Sequence, residues 1–176
     1  MELKDLTVVL GVVVAVATLR TNIGLARRKQ SSDLVFAGRD DQSFVTGIRL
    51  LRKFKASGDI ASFATSANAM SEDAIKIRYV LNYFEALAIG VRKSIYDEDI
   101  LYLNYKTTVK HMMGAATPYI RALRSNQDVP SLYCELTWLA DRWHAAEHST
   151  FAQLRIAITY SRILRLVSKG RIDVRP

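Results

Sequence analysis

The side chains with the strongest claim to chemistry are His144, Glu147 and His148. They form His144-Ala145-Ala146-Glu147-His148, which matches the inverted zinc-protease pattern H-x-x-E-H, with two imidazoles one helical turn apart and a carboxylate beside them. A catalytic zinc takes a third protein ligand, and the only side-chain carboxylate downstream of His148 is Asp173, in a basic tail. The pattern therefore reads first as a solvated helix end, where imidazoles suit the negative pole of the dipole, and second as a small metal-dependent hydrolase. Cys134 and His111 offer a thiol and a base, but they fall on different expected helices with nothing to orient either. A lone cysteine on an apolar helix is expected to be a buried thiol. The eight glycines are scattered, so no loop cradles a phosphate, and no cofactor is implied.

A second polar group lies inside an apolar stretch. Arg78, Asn82 and Glu85 follow at four- and three-residue spacing and so share one helix face. Polar groups buried there would be costly without partners, so they are expected to bond to one another or to a facing helix. The spacing suits a structural network that fixes helix register, with a partner or ligand pocket as the alternative.

The elements that would carry these residues are helices. Phe44, Ile48, Leu51 and Phe54 make an apolar stripe, with Arg49, Arg52 and Lys53 off it. Ser71 followed by Glu72 and Asp73 predicts a helix start, running to about Ile95. Asp97, Glu98 and Asp99 open another, which Pro118 is expected to end or kink before it resumes to Leu123. Pro130 and Ser131 are expected to begin a helix carrying Leu132, Leu136, Leu139 and Trp143. Breaks are expected at Gly38, at Gly58 and over Asn126–Pro130. One cysteine excludes a disulfide framework within the chain, so the fold must rest on packing.

Ahead of this body, Leu6 to Leu19 reads LTVVLGVVVAVATL, uncharged between Asp5 and Arg20. Extended to Ala26 it reaches about 31 Å, matching a hydrocarbon core of about 30 Å, with Arg20 placed to snorkel. Arg27, Arg28 and Lys29 then form a basic stop, which puts the N-terminus outside and the body in the cytoplasm. Ala15-Val16-Ala17 resembles a signal-peptide cleavage site, but the preceding residues are not positively charged. The competing reading is a core helix, or one buried between subunits of a soluble oligomer. Gly11 and Ala15, four apart, offer a small-residue face for close helix approach.

The net charge of +8 is concentrated at the two ends. Residues 1–55 hold ten Lys/Arg against five Asp/Glu, and residues 149–176 hold six against one. In the terminal segment Arg155, Arg162, Arg165 and Lys169 fall within about 80° on a helix, opposite Ile156, Tyr160 and Leu164. That stripe reads as a solvated face or as a contact for anionic lipid headgroups. Nucleic-acid binding is unsupported, because no reader motif or aromatic platform accompanies the charge.

Leu81-Asn82-Tyr83-Phe84-Glu85, followed by Ala88-Ile89-Gly90-Val91 and Tyr96-Asp97-Glu98, resembles an uncharacterised bacterial family classed as a domain of unknown function. The resemblance covers roughly residues 5–145. It implies an N-terminal hydrophobic segment, a basic flank and a small helical domain, emphasises Asn82 and Glu85, and implies no catalytic residue. The expectation is an all-α chain: a transmembrane helix and flank over 1–30, a bundle of about five helices over 31–148, and a basic amphipathic helix over 149–176. The function that fits is a non-enzymatic accessory or assembly subunit in the bacterial inner membrane, with a protein partner or a second copy.

Overall fold

The computed structural model describes residues 3–57, 59–65 and 67–148. Within them the chain is all-helical: α1 (Leu3–Asp40), α2 (Gln42–Ser57), a short 3-10 helix (Asp59–Ala64), α3 (Glu72–Arg92), α4 (Glu98–Gln127) and α5 (Cys134–His148). The expected basic stripe Arg155, Arg162, Arg165 and Lys169 lies outside the described residues, as do the start of its helix and Gly58.

α1 spans 38 residues, about 57 Å of helix, and has two halves of opposite character. In its first part the described large apolar side chains, Val8 and those from Leu10 to Leu25, are exposed, Val8 by 66% and Val16 by 44%. No other atom lies within 4 Å of a Cβ built on Gly11 or Gly24. Its last turns are part of the body, where Val35 is buried against α2 and α4 and Ser31 is fully buried. The helix passes without interruption through residue 30, where the two segments were expected to divide.

Gly38 does not break α1. A Cβ there would lie 2.9 Å from the hydroxyls of both Tyr83 and Tyr105, so the glycine lets the helix approach two tyrosines. The break comes at Asp41, whose Oδ1 accepts from the amides of Ser43 (2.8 Å) and Phe44 (3.0 Å) and so caps α2. The Tyr79 hydroxyl donates to the other carboxylate oxygen. That bond, with the amide of Phe44 behind it, lowers the Asp41 pKa below the ordinary carboxylate value.

α3 begins as expected, with Ser71 accepting from the Ala74 amide at 3.3 Å. It stops at Arg92, short of the expected Ile95, because Ser94 turns left-handed at φ 57°. α4 is capped by Asp97, which accepts from Ile100 N at 3.3 Å, and ends at Asp128 in the left-handed region. It continues through Pro118 without ending there, the first of the two outcomes expected at that residue. An internal proline costs a helix about 3 kcal/mol, but here Ala115, Ala116, Tyr119 and Ile120 are buried on either side of it and hold one helix together. α5 starts at Cys134 rather than at Pro130, since Tyr133 adopts φ 57° and the preceding residues form a turn.

The core lies where α2, α3 and α4 meet, closed by α5 and the 3-10 helix. Phe84, Leu81, Ile77, Leu101, Tyr119 and Leu136 are fully buried. Phe44, Tyr83, Phe84 and Tyr105 form an edge-on and tilted aromatic cluster with centroids 4.6–6.4 Å apart. Of the expected α2 stripe, Phe44 and Leu51 are buried, while Ile48 and Phe54 are partly so.

Candidate functional site

The polar triplet on α3 does not bond within itself. Each member reaches a different part of the chain. Arg78 donates from Nη1 to the carbonyl of Ala69, in the turn before its own helix, at 2.5 Å. Asn82, which lies at the surface, accepts at Oδ1 from the Tyr133 hydroxyl at 3.1 Å. Glu85 accepts from two backbone amides of α5, Glu135 N at 3.3 Å and Leu136 N at 2.7 Å. It therefore caps a helix 50 residues away and sets a negative charge at the positive end of that dipole. Arg92 closes the same junction with a 2.6 Å ion pair to Glu135, its guanidinium 4.6 Å above the Trp138 ring. Burial pushes the Tyr133 phenol up to about 12. Burial also raises Tyr119, with the nearby Arg78 guanidinium opposing part of that shift.

Beside this junction, α3 presents an unpacked face. Ile75, Tyr79, Asn82, Ala86 and Ile89 follow at alternating four- and three-residue spacing and are all exposed. This is the periodicity of a helix that packs against another helix. Asn82, expected to bond to its neighbours or to a facing helix, accepts from Tyr133 just ahead of α5 and stands exposed at the centre of this stripe.

Where α1 enters the body, a buried polar seam holds it. The Asp97 amide donates to the Ser31 hydroxyl at 2.7 Å, and that hydroxyl donates to the Arg27 carbonyl at 2.9 Å. Arg28 Nε lies 3.5 Å from Asp97 Oδ2. One turn further on, the Tyr83 hydroxyl donates to the Leu34 carbonyl at 3.0 Å and meets the Tyr105 hydroxyl at 3.2 Å. Burial raises both phenols. Arg20, Arg27 and Lys29 are exposed along α1. Sequence reading missed Ser31, Asp97 and the tyrosine pair as the joint between the two halves of α1. Only the polar Ser31-Ser32 step between the basic run and Leu34-Val35 hinted at it.

Of the candidate catalytic residues, His144 is exposed on α5, Glu147 on the same helix pairs with Lys110 at 2.9 Å, and the side chain of His148 lies outside what is described. Among the described residues no three metal-ligating side chains converge. Cys134 is exposed rather than buried, because it opens α5 and the packed face begins at Leu136. An open cleft of about 360 Å³ between α4 and α5 is lined by Lys106, Lys110, Met113, Thr137 and Trp143 among others.

α1 is the one described helix long and apolar enough to cross a membrane, over Leu10–Asp40, with none of its most apolar stretch buried. No curated protein and no solved structure matches the chain. A family model does match, over residues 6–143, from the exposed apolar half of α1 to Trp143 on α5. The chain thus belongs to the family described as domain of unknown function DUF4760.

Proposed function

We propose that this chain is a single-span membrane protein whose helical body serves as a non-enzymatic docking module, an accessory or assembly subunit of a larger complex. The observation that carries the reading is the division of α1. One continuous helix exposes its described large apolar side chains, Val8 and those from Leu10 to Leu25, and is locked into the core over its last turns. An exposed apolar helix of that length finds its solvent in a bilayer. Arg27, Arg28 and Lys29 at the junction orient it with the body in the cytoplasm, at the bacterial inner membrane, and the N-terminus outside.

The body then needs a surface for its partner, and the α3 stripe of Ile75, Tyr79, Asn82, Ala86 and Ile89 supplies one. Its apolar rim around a central amide suits another helix, with Asn82 fixing the register.

Membrane fractionation tests the anchoring. The intact chain is expected in the membrane pellet after an alkaline wash and in solution only with detergent. Recovery in the soluble fraction without detergent would instead support an oligomer that covers the apolar half of α1 with other copies. Ile75→Asp combined with Ile89→Asp tests the docking face: whatever co-purifies in mild detergent should be lost while helicity and membrane recovery are unchanged.

A further inference from the structure

The corner joining α3 to α4 has an unusual arrangement. α3 ends with two bonds that wrap back over its last turn, Ser94 N to Val91 O at 3.0 Å and Ile95 N to Gly90 O at 2.8 Å, with Ser94 left-handed. In this termination the residue at the position of Ile95 is commonly apolar and folds back onto the side chain at the position of Gly90. Here that position has no side chain. The Tyr96 ring takes the space, lying 2.2 Å from where a Cβ on Gly90 would be. Ile95 is left 48% exposed, beside the exposed Lys93.

The position of this corner along α1 is fixed. The Asp97 amide is bonded to Ser31, which follows Ala26, the last residue before the basic stop, by five positions. At the helical rise that is about 7.5 Å. The headgroup layer of one leaflet is about 5–7.5 Å thick, so the corner stands at headgroup depth, toward its outer side, when residues 6–26 cross the bilayer. The surrounding charge suits an anionic surface. Arg27, Lys29 and Lys93 are exposed, and the carboxylates of Asp97, Glu98 and Glu135 are paired with Arg28, Arg142 and Arg92, with Asp33 and Asp99 as the exposed acidic residues near the corner.

We propose that the Lys93–Tyr96 corner is a second membrane contact: Ile95 enters the boundary between headgroups and acyl chains, and Lys93, Arg27 and Lys29 meet anionic lipid phosphates. This rests on the reading of α1 as a span. The body would then sit against the leaflet rather than hang below it.

The test uses the full chain carrying Cys134→Ser and one new cysteine, Ile95→Cys, Met70→Cys or Val16→Cys, each labelled with an environment-sensitive fluorophore. Met70 is 80% exposed, ahead of the far end of α3. Proteins are reconstituted into phosphatidylcholine vesicles, with or without phosphatidylglycerol, that carry a nitroxide quencher at a shallow acyl position. Lipid-borne quenching at residue 95 is expected to exceed that at residue 70 by about two-fold or more in the anionic vesicles, and to fall in neutral ones. Equal quenching at 95 and 70, with residue 16 quenched, would overturn the corner contact and leave the span intact. Equal quenching at 95 in neutral and anionic vesicles would overturn the role given to lipid charge. An unquenched residue 16 would overturn the span and this proposal together.

Discussion

The backbone amide of Asp97 and the hydroxyl of Ser31, 66 positions apart, form a 2.7 Å hydrogen bond at the point where α1 enters the body. Ser31 is fully buried, so Ser31→Ala leaves that donor with no replacement partner. The loss is expected to cost about 1–3 kcal/mol, read as a lower denaturant midpoint in detergent. Arg28→Ala, which removes only a largely exposed ion pair, is expected to change the midpoint by about 1 kcal/mol or less.

Glu85 ties α3 to the first turn of α5 through two amides. Glu85→Ala is expected to destabilise the body by about 1–2 kcal/mol, and Glu85→Gln, which keeps an acceptor oxygen, by roughly half of that. Hydrogen exchange gives the local signature: the amides of Glu135 and Leu136 should lose protection in the alanine variant before those of α4 do.

Alkaline pH should act through the tyrosines. Burial raises the Tyr133 pKa from 10.0 to about 12, and it raises Tyr83 as well. A raised pKa means that the folded state holds its proton more tightly than the unfolded chain. The associated stability is complete below pH 10 and is lost as pH climbs toward 12. Phenolate absorbance and helical circular dichroism are expected to change together over that window. Tyr133→Phe should weaken the coupling, and early ionisation with full helicity would contradict it.

Two glycines separate packing from propensity. Gly90→Ala sets a methyl against the Tyr96 ring, 2.2 Å from the new carbon, and is expected to cost about 1–3 kcal/mol. Gly24→Ala meets nothing within 4 Å and should leave the unfolding transition of the body unchanged. Parallel thermal melts of the two variants provide the measurement.

The parts of this architecture that are written locally were legible in the chain. An apolar run followed by a basic flank marks the exposed half of α1, and Ser71 and Asp97 sit one residue before the helices they cap. What escaped depends on residues distant in sequence. Gly38 reads as a break when taken alone, and its use becomes clear only when Tyr83 and Tyr105 arrive from α3 and α4. Pro118 reads as a helix end or kink, and buried neighbours on both sides keep the helix from ending there. The spacing of Arg78, Asn82 and Glu85 placed them on one face correctly. It did not show that this face borders α5, so that Glu85 turns to a helix end while Asn82 turns outward.

The unbroken path of α1 from exposed apolar half to core has a mechanical consequence. If the exposed half spans a bilayer, as proposed above, the unbroken helix lets that bilayer set the compass bearing of every face the body carries. Rotating the span about its axis swings the α3 stripe through the same angle, and tilting it raises or lowers that stripe against a neighbour in the same membrane. A partner searching in two dimensions would meet a surface already held at one height and one heading, and a twist applied to the span would reach that surface undiminished.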